Sequence, residues 1–242
     1  MMDSPNLYLY ILFFSVILPF LWSFESKMVA YSKSFAPLLV STLIVGSFFI
    51  IWDIIFTHKG IWGFNPRYLS GIYFFNLPLG EWLFFLIIPF CSIFIYRVFN
   101  YFRKSPVLEN SHHYISYFLI GFSIVLALIY YDRSYTFITF VLLASLIYLH
   151  VKVLKTKWMG RFYVSYLFVL IPFSIVNGIL TGSFIEDQVV WYNNFENMGI
   201  RIGTIPFEDA FYGMILILGI TSLYEYFGTR WNMEYAQESR TE

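Results

Sequence analysis

Seven long apolar runs separated by short polar segments set the plan of this chain. They fall at about 6–24, 35–56, 78–99, 114–131, 135–151, 162–180 and 205–227. Lipid offers no partners to backbone N–H and C=O groups, so runs of this kind are helical. About 20 residues cross the hydrocarbon layer. The pattern predicts an all-α polytopic membrane helix bundle with about seven transmembrane helices. Only Asp132-Arg133-Ser134 divides the fourth run from the fifth, which is short. The first run differs from a cleaved secretory signal: Asp3 precedes it without any Lys or Arg, and it ends in Trp22-Ser23-Phe24-Glu25 with no small-x-small site.

Seven spans put the termini on opposite sides, and Lys and Arg then set the orientation. Lys27, Lys33, Arg97, Arg103, Lys104, Lys152, Lys155, Lys157, Arg161, Arg230 and Arg240 fall on one side, 11 of the 15 cations. Lys59, Arg67, Arg133 and Arg201 fall on the other. The expectation is a multi-pass protein of the cell membrane with its N-terminus outside and its C-terminus cytoplasmic. Two connections, 57–77 and 181–204, are much longer than the rest, and both lie on the outer side. Long connections in compact proteins are usually functional or disordered. Their Trp, Tyr, Asn and Gly content argues for ordered segments at the membrane interface.

Those two connections resemble each other. The first reads Trp62-Gly-Phe-Asn65, then Gly71, then Pro78-Leu-Gly-Glu81-Trp-Leu-Phe84. The second reads Trp191-Tyr-Asn-Asn194, then Gly199, then Pro206-Phe-Glu208-Asp209-Ala-Phe-Tyr212. Asp53 and Asn177 sit at comparable places upstream. The chain divides into repeat A at about 1–100, a connector helix at about 114–131 and repeat B at about 135–228. Parallel repeats relate by an axis along the membrane normal, and a site usually lies at their interface. The repeated acids should therefore face each other.

Proline suits the first turn of a helix, and an acid there meets the positive end of the helix dipole. That plain reading accounts for Glu81, Glu208 and Asp209 at an interface, since the dipole contributes about 0.3–1 kcal/mol. It does not account for acids deep in the core, where Asp costs roughly 2.5–3.5 kcal/mol on insertion scales. The other reading is proton chemistry by buried carboxyl groups.

Composition narrows the chemistry. Only 12% of residues are charged, roughly half the usual soluble share, and the mean hydropathy is +0.67. The formal net charge is zero, which argues against a nucleic-acid partner. Aromatic residues form 23% of the chain, with 29 Phe. Lipid-facing and packing bulk is one explanation; an aromatic-lined cavity for a long apolar or transiently cationic ligand is another. Cys91 has no partner for a disulfide. His112-His113 completes no spaced metal site, even with Glu109 nearby. His58, His150 and Glu225 lie near span ends and read as interfacial. There is no dinucleotide fingerprint, P-loop or Asp-rich diphosphate motif, and the last span has no Lys for a retinal Schiff base. No cofactor and no metal are expected.

The stretch from Trp62 to Phe85 resembles the small integral-membrane lycopene β-cyclases, the two-repeat type found in bacteria, archaea and, as fusions, fungi. Gly203-Thr-Ile-Pro206-Phe-Glu208-Asp209 resembles the second motif of that family, and the resemblance spans nearly the whole chain. The family pattern is Pro-x-Glu-Glu or Pro-x-Glu-Asp. The second copy matches it; the first carries Gly80 where the first Glu is expected. The resemblance implies cyclisation of the ψ-ends of lycopene into β-ionone rings, giving γ-carotene and β-carotene, an isomerase (intramolecular lyase) reaction. It implies a carotenoid substrate drawn from the bilayer, with other carotenoid enzymes as possible neighbours. Glu208 or Asp209 would be the acid and Glu81 its partner or the final proton acceptor. Asp53, Asn65, Asn177 and Asn194 would orient them, and Trp62, Trp191, Phe84 and Tyr212 would line the site. A carotenoid hydratase and a non-enzymatic transporter or carotenoid-binding protein are the rival readings.

Overall fold

The computed structural model describes residues 4–25, 29–103, 107–108 and 111–233. Asp3, Lys27, Lys104, Glu109 and Arg240 lie outside the described residues. Among the described residues seven α-helices form: α1 (Leu7–Trp22), α2 (Phe35–His58), α3 (Leu79–Phe102), α4 (His112–Ile129), α5 (Ser134–Tyr148), α6 (Met159–Leu180) and α7 (Asp209–Arg230). Six helical segments among the described residues are long and apolar enough to cross a membrane: Tyr31–His58, Leu79–Phe102, His112–Ile129, Ser134–Leu154, Met159–Leu180 and Asp209–Arg230. The chain is a multi-pass membrane protein.

Two helices depart from the apolar runs. With 16 residues, α1 is shorter than its run; at 1.5 Å per residue it spans about 24 Å, against about 30 Å of hydrocarbon. A tight turn ends it, where Ser23 N–H donates to the Phe20 carbonyl at 3.1 Å. Conversely, α5 runs on through a π-helical turn, Leu149–Leu154, to a total of 21 residues. His150 lies in that turn, bonded to Thr156 Oγ1 at 2.8 Å and Ser222 Oγ at 2.7 Å. It is buried rather than interfacial. Glu225 is also buried, accepting from the Tyr96 hydroxyl at 3.0 Å. Each was expected near water because its sequence position is close to a helix end, but neighbouring helices cover both.

The bundle is hydrophobic outside as well as inside. Phe14, Leu18, Leu43, Ile51, Leu128, Ile171 and Ile175 all face outward, as a lipid-exposed surface requires. Inside, α3 packs against α1, α2, α6 and α7, while α2 lies along α7, and α4 along α5. Aromatic side chains fill the centre, with Tyr8, Tyr31, Phe49, Phe85, Tyr135 and Phe140 almost wholly buried.

The two long connections are ordered and pair with each other. β1 (Trp62–Phe64) runs antiparallel to β4 (Val190–Tyr192), with Trp62 opposite Tyr192 and Gly63 opposite Trp191. Because Trp62 corresponds to Trp191, and Gly63 to Tyr192, the register is symmetric: exchanging the repeats exchanges the two pairs. Each loop then forms a hairpin. β2 (Tyr73–Phe74) pairs with β3 (Leu77–Pro78), and β5 (Arg201–Ile202) with β6 (Ile205–Pro206). Gly71 and Gly199 open the hairpins at φ +78° and +71°, conformations that favour glycine. The prolines therefore close hairpins: Pro78 immediately before α3, Pro206 three residues before α7. They were expected inside the first helical turn; strand pairing upstream moves them out of it. Arg67 adds an ionic strap between the loops, reaching Glu186 at 2.6 Å and Asp187 at 3.1 Å.

Loop pairing demands close approach at Gly63, where a Cβ would lie 2.3 Å from the Trp191 ring. Gly63→Ala should destabilise the detergent-solubilised protein by about 1–3 kcal/mol, in the range of overpacking. A lowered thermal midpoint is the readout, and an unchanged one would show that the loops tolerate separation.

Candidate active site

Glu81 and Asp209 occupy the first turns of α3 and α7, and both side chains are buried. The Tyr8 hydroxyl, on α1, donates to Glu81 Oε2 at 2.6 Å. The Tyr135 hydroxyl, on α5, donates to Asp209 Oδ1 at 2.6 Å. Tyr8 and Tyr135 stand 127 positions apart, so one phenol–carboxyl contact occurs twice, once per repeat. Tyr135 is set in place by the turn before α5: its N–H donates to the Glu196 carbonyl at 2.8 Å, and Arg133 holds the Asn194 and Asn197 carbonyls.

The second helix of each repeat contributes differently. In repeat B, Asn177 on α6 donates from Nδ2 to Asp209 Oδ2 at 2.7 Å, and the Tyr192 hydroxyl reaches the same oxygen at 3.0 Å. Asp209 thus accepts three donors. In repeat A, the matching place on α2 holds an acid, Asp53, which lines the same cavity as Glu81. The Trp62 indole N–H and the Thr57 hydroxyl both donate to Asp53 Oδ1. Asp53 Oδ2 is buried and meets no donor. A buried acceptor left in this state costs about 1–3 kcal/mol; a proton shared with Glu81 would satisfy it. Outside the helices, burial and the Asp209 carboxylate hold the Tyr192 phenol well above its usual range.

All three acids line one cavity of about 50 Å³. Around them stand Tyr8, Trp62, Phe64, Phe84, Tyr135 and Phe173, with Asn177, Tyr192 and Tyr212. The rings pack edge to face, with Trp62 and Tyr135 at 5.1 Å and Trp52 and Tyr212 at 5.0 Å. Phe84, Phe173 and Asn177 also line a second space, an apolar groove of about 520 Å³ between α1, α3 and α6. The acid chamber therefore abuts a hydrocarbon-lined one.

Several residues expected at the site lie elsewhere. Glu208 is wholly buried but outside the cavity lining; its Oε1 accepts from Met198 N–H at 2.7 Å and Thr136 Oγ1 at 2.5 Å. It sits in the turn before α7, so its side chain departs from the helix start on another side than that of Asp209. Asn65 Oδ1 accepts from Arg67 N–H at 3.1 Å, and Asn194 Oδ1 from Arg201 at 3.0 Å. Asn65 caps a turn, and Asn194 makes a side-chain contact within its own loop. Trp191 covers Gly63 and faces outward. Asp53, Trp62, Phe84, Asn177 and Tyr212 do converge with Glu81 and Asp209. Among the described residues, no group of three His, Cys, Asp or Glu side chains is placed to hold a metal ion.

Sequence reasoning missed Tyr8, Tyr135 and Tyr192. The repeat's spacing did not reveal them: Glu81 and Asp209 stand 128 positions apart, Tyr8 and Tyr135 127, so the motif offset carried back from Tyr8 falls on Thr136. The departure at Gly80 also has a structural cause. A Cβ there would lie 2.6 Å from the Tyr8 ring, so the residue before Glu81 must be small for that phenol to reach its carboxyl.

A family model described as lycopene cyclase matches residues 5–99 and 132–227, which cover the two repeats. No curated protein and no solved structure matches the chain significantly.

The Tyr8–Gly80 contact predicts that Gly80→Ala destabilises the fold by about 1–3 kcal/mol. Combining it with Tyr8→Ala should recover part of that loss, because residues in contact are not additive. Additive losses in thermal unfolding would show that the two positions do not meet.

Proposed function

The chain belongs to the lycopene cyclase family, and on that premise we propose that its carboxyl cluster closes the ψ-ends of lycopene into β-rings by proton transfer. The observation that carries this reading is three carboxyl groups from both repeats lining one aromatic chamber that abuts an apolar groove. Water-filled polar paths, which transport would need, do not describe such a groove.

The reaction is a redox-neutral isomerisation. A proton adds to the terminal alkene, giving a tertiary cation. The nearby internal alkene attacks it and closes the six-membered ring. A proton then leaves the ring and the double bond re-forms. One proton enters and one leaves, so the chemistry itself calls for an acid and a base and no electron carrier.

The polar contacts support a division of labour. The Asp53–Glu81 pair is suited to hold a proton, because two carboxyl groups facing one small chamber favour sharing one. Glu81 lines the chamber with a single phenol on Oε2 and is the proposed donor. Asp209, with its three donors, is suited to remain an anion. It would face the developing cation and receive the final proton. Trp62, Tyr135, Tyr192 and Tyr212 would stabilise the cation by their ring faces, each by about 0.5–2 kcal/mol, and exclude the water that would trap it. Glu208 would instead hold the loop around Met198. The Lys and Arg distribution supports a site near the outer leaflet, with the C-terminus cytoplasmic.

Production of cyclic carotenoids in a lycopene-accumulating bacterium tests the reading; lycopene left unchanged beside folded protein in the membrane would end it. Glu81→Gln and Asp209→Asn should each cut ring formation about 10²–10⁴-fold, the usual contribution of a general acid or base. Glu208→Gln should act mainly on stability. Near-normal pigment from Glu81→Gln would remove Glu81 as donor.

A further inference from the structure

An acid that accepts a proton in every cycle must lose it before the next. The three donors around Asp209 differ in where such a proton could go. Asn177 offers an amide N–H, which has no acid–base exchange to make with a carboxylic acid. The Tyr135 hydroxyl belongs to a side chain only 2% exposed, packed against the Trp62, Tyr192 and Tyr212 rings. Tyr192 is half-buried, and it stands on β4 in the loop layer rather than on a membrane helix.

A separate polar pocket of about 310 Å³ lies among the residues of the second long loop. Thr181, Gln188, Arg201 and Thr204 supply its polar side chains, and Gln188 and Trp191 in its lining are exposed. Val190 and Tyr192 line both this pocket and the acid chamber. Of these two, only Tyr192 carries a group that can move a proton, and its hydroxyl lies 3.0 Å from Asp209 Oδ2. Arg201 stands over the Tyr192 ring, 5.9 Å from its centroid. The Thr204 carbonyl at 2.7 Å and Asn194 Oδ1 at 3.0 Å hold that guanidinium in place. A fixed cation there disfavours an excess proton on the phenol. In repeat A the position matching Tyr192 is Gly63, so the Glu81 side has no phenol at this place.

Resting on the cyclase reading, we infer that Tyr192 is the proton-release group of Asp209, passing the proton taken from the new ring to water in the loop pocket. Asp209 Oδ2 gives its proton to the phenol oxygen as the phenol O–H gives its own to a pocket water. The carboxylate and the neutral phenol are both restored. Over a cycle the water phase supplies one proton to the Asp53–Glu81 pair and takes one from Asp209, so the net reaction consumes none.

The test compares the first ring closed per protein with sustained turnover, using lycopene and the full chain in membranes. Tyr192→Phe keeps the aromatic ring and removes the hydroxyl. Its first turnover should run within about threefold of the unchanged protein, while sustained turnover falls about tenfold or more. Equal slowing of both phases, or slowing of neither, overturns this inference alone. A second arm leaves Tyr192 in place. Gln188→Cys is combined with Cys91→Ala, which removes the chain's other thiol, and a bulky, charged thiol reagent is added on the loop side. Blocking the pocket in this way should slow sustained turnover and spare the first ring, relative to the same variant without reagent. Sustained turnover unchanged by full labelling overturns the inference, whether or not Tyr192→Phe folds. No ring from the unchanged protein overturns the cyclase reading and this inference together.

Discussion

A carboxyl group carried into a membrane bundle must find donors inside the protein, because lipid supplies none. The chain meets this constraint with phenols. Tyr8 reaches Glu81 across α1 and α3, and Tyr135 reaches Asp209 across α5 and α7. Each bond ties the first helix of a repeat to its third at the point where the acid enters. The symmetric β1–β4 pairing then brings the two helix starts together. Without Tyr8, Glu81 loses its phenol partner; without Tyr135, Asp209 keeps the Asn177 and Tyr192 donors.

On this duplicated frame the chemistry is unequal. The α6 position beside Asp209 holds an amide, Asn177; the matching α2 position holds a second acid, Asp53, which lines the same cavity as Glu81. An amide N–H stabilises a carboxylate, whereas a neighbouring carboxyl favours a retained proton. Duplication supplies two similar acids, and the difference between Asn177 and Asp53 gives them unlike surroundings. The same inequality extends to packing, where Phe49 and Tyr212 close one flank and Phe84 and Phe173 border the groove on the other.

Legibility in the sequence followed the range of the physical signal. Apolar runs located the helices because the membrane imposes one requirement on every span. The repeated Trp, Gly, Pro and acid spacing located Glu81, Asp209, Asp53, Asn177, Trp62, Phe84 and Tyr212, all of which line the chamber. The same spacing also drew in Asn65, Asn194 and Trp191, which repeat because the loops repeat, and which serve turns and loop packing. Glu208 stood next to Asp209 in sequence, but adjacent residues at a helix start point in different directions, and its partners are Thr136 and Met198.

The linear chain by itself determined that this is a membrane helix bundle with two related halves and an acid at each repeated helix start, since hydropathy and local motifs act over a few turns of backbone. The tertiary structure alone decided which phenols hold those acids, why residue 80 must be small, and that the acid chamber abuts the α1–α3–α6 groove. Those outcomes depend on contacts between residues as far apart as Tyr8 and Glu81 or Tyr135 and Asp209. Distances across a folded bundle are set by how helices pack, and no local pattern encodes them.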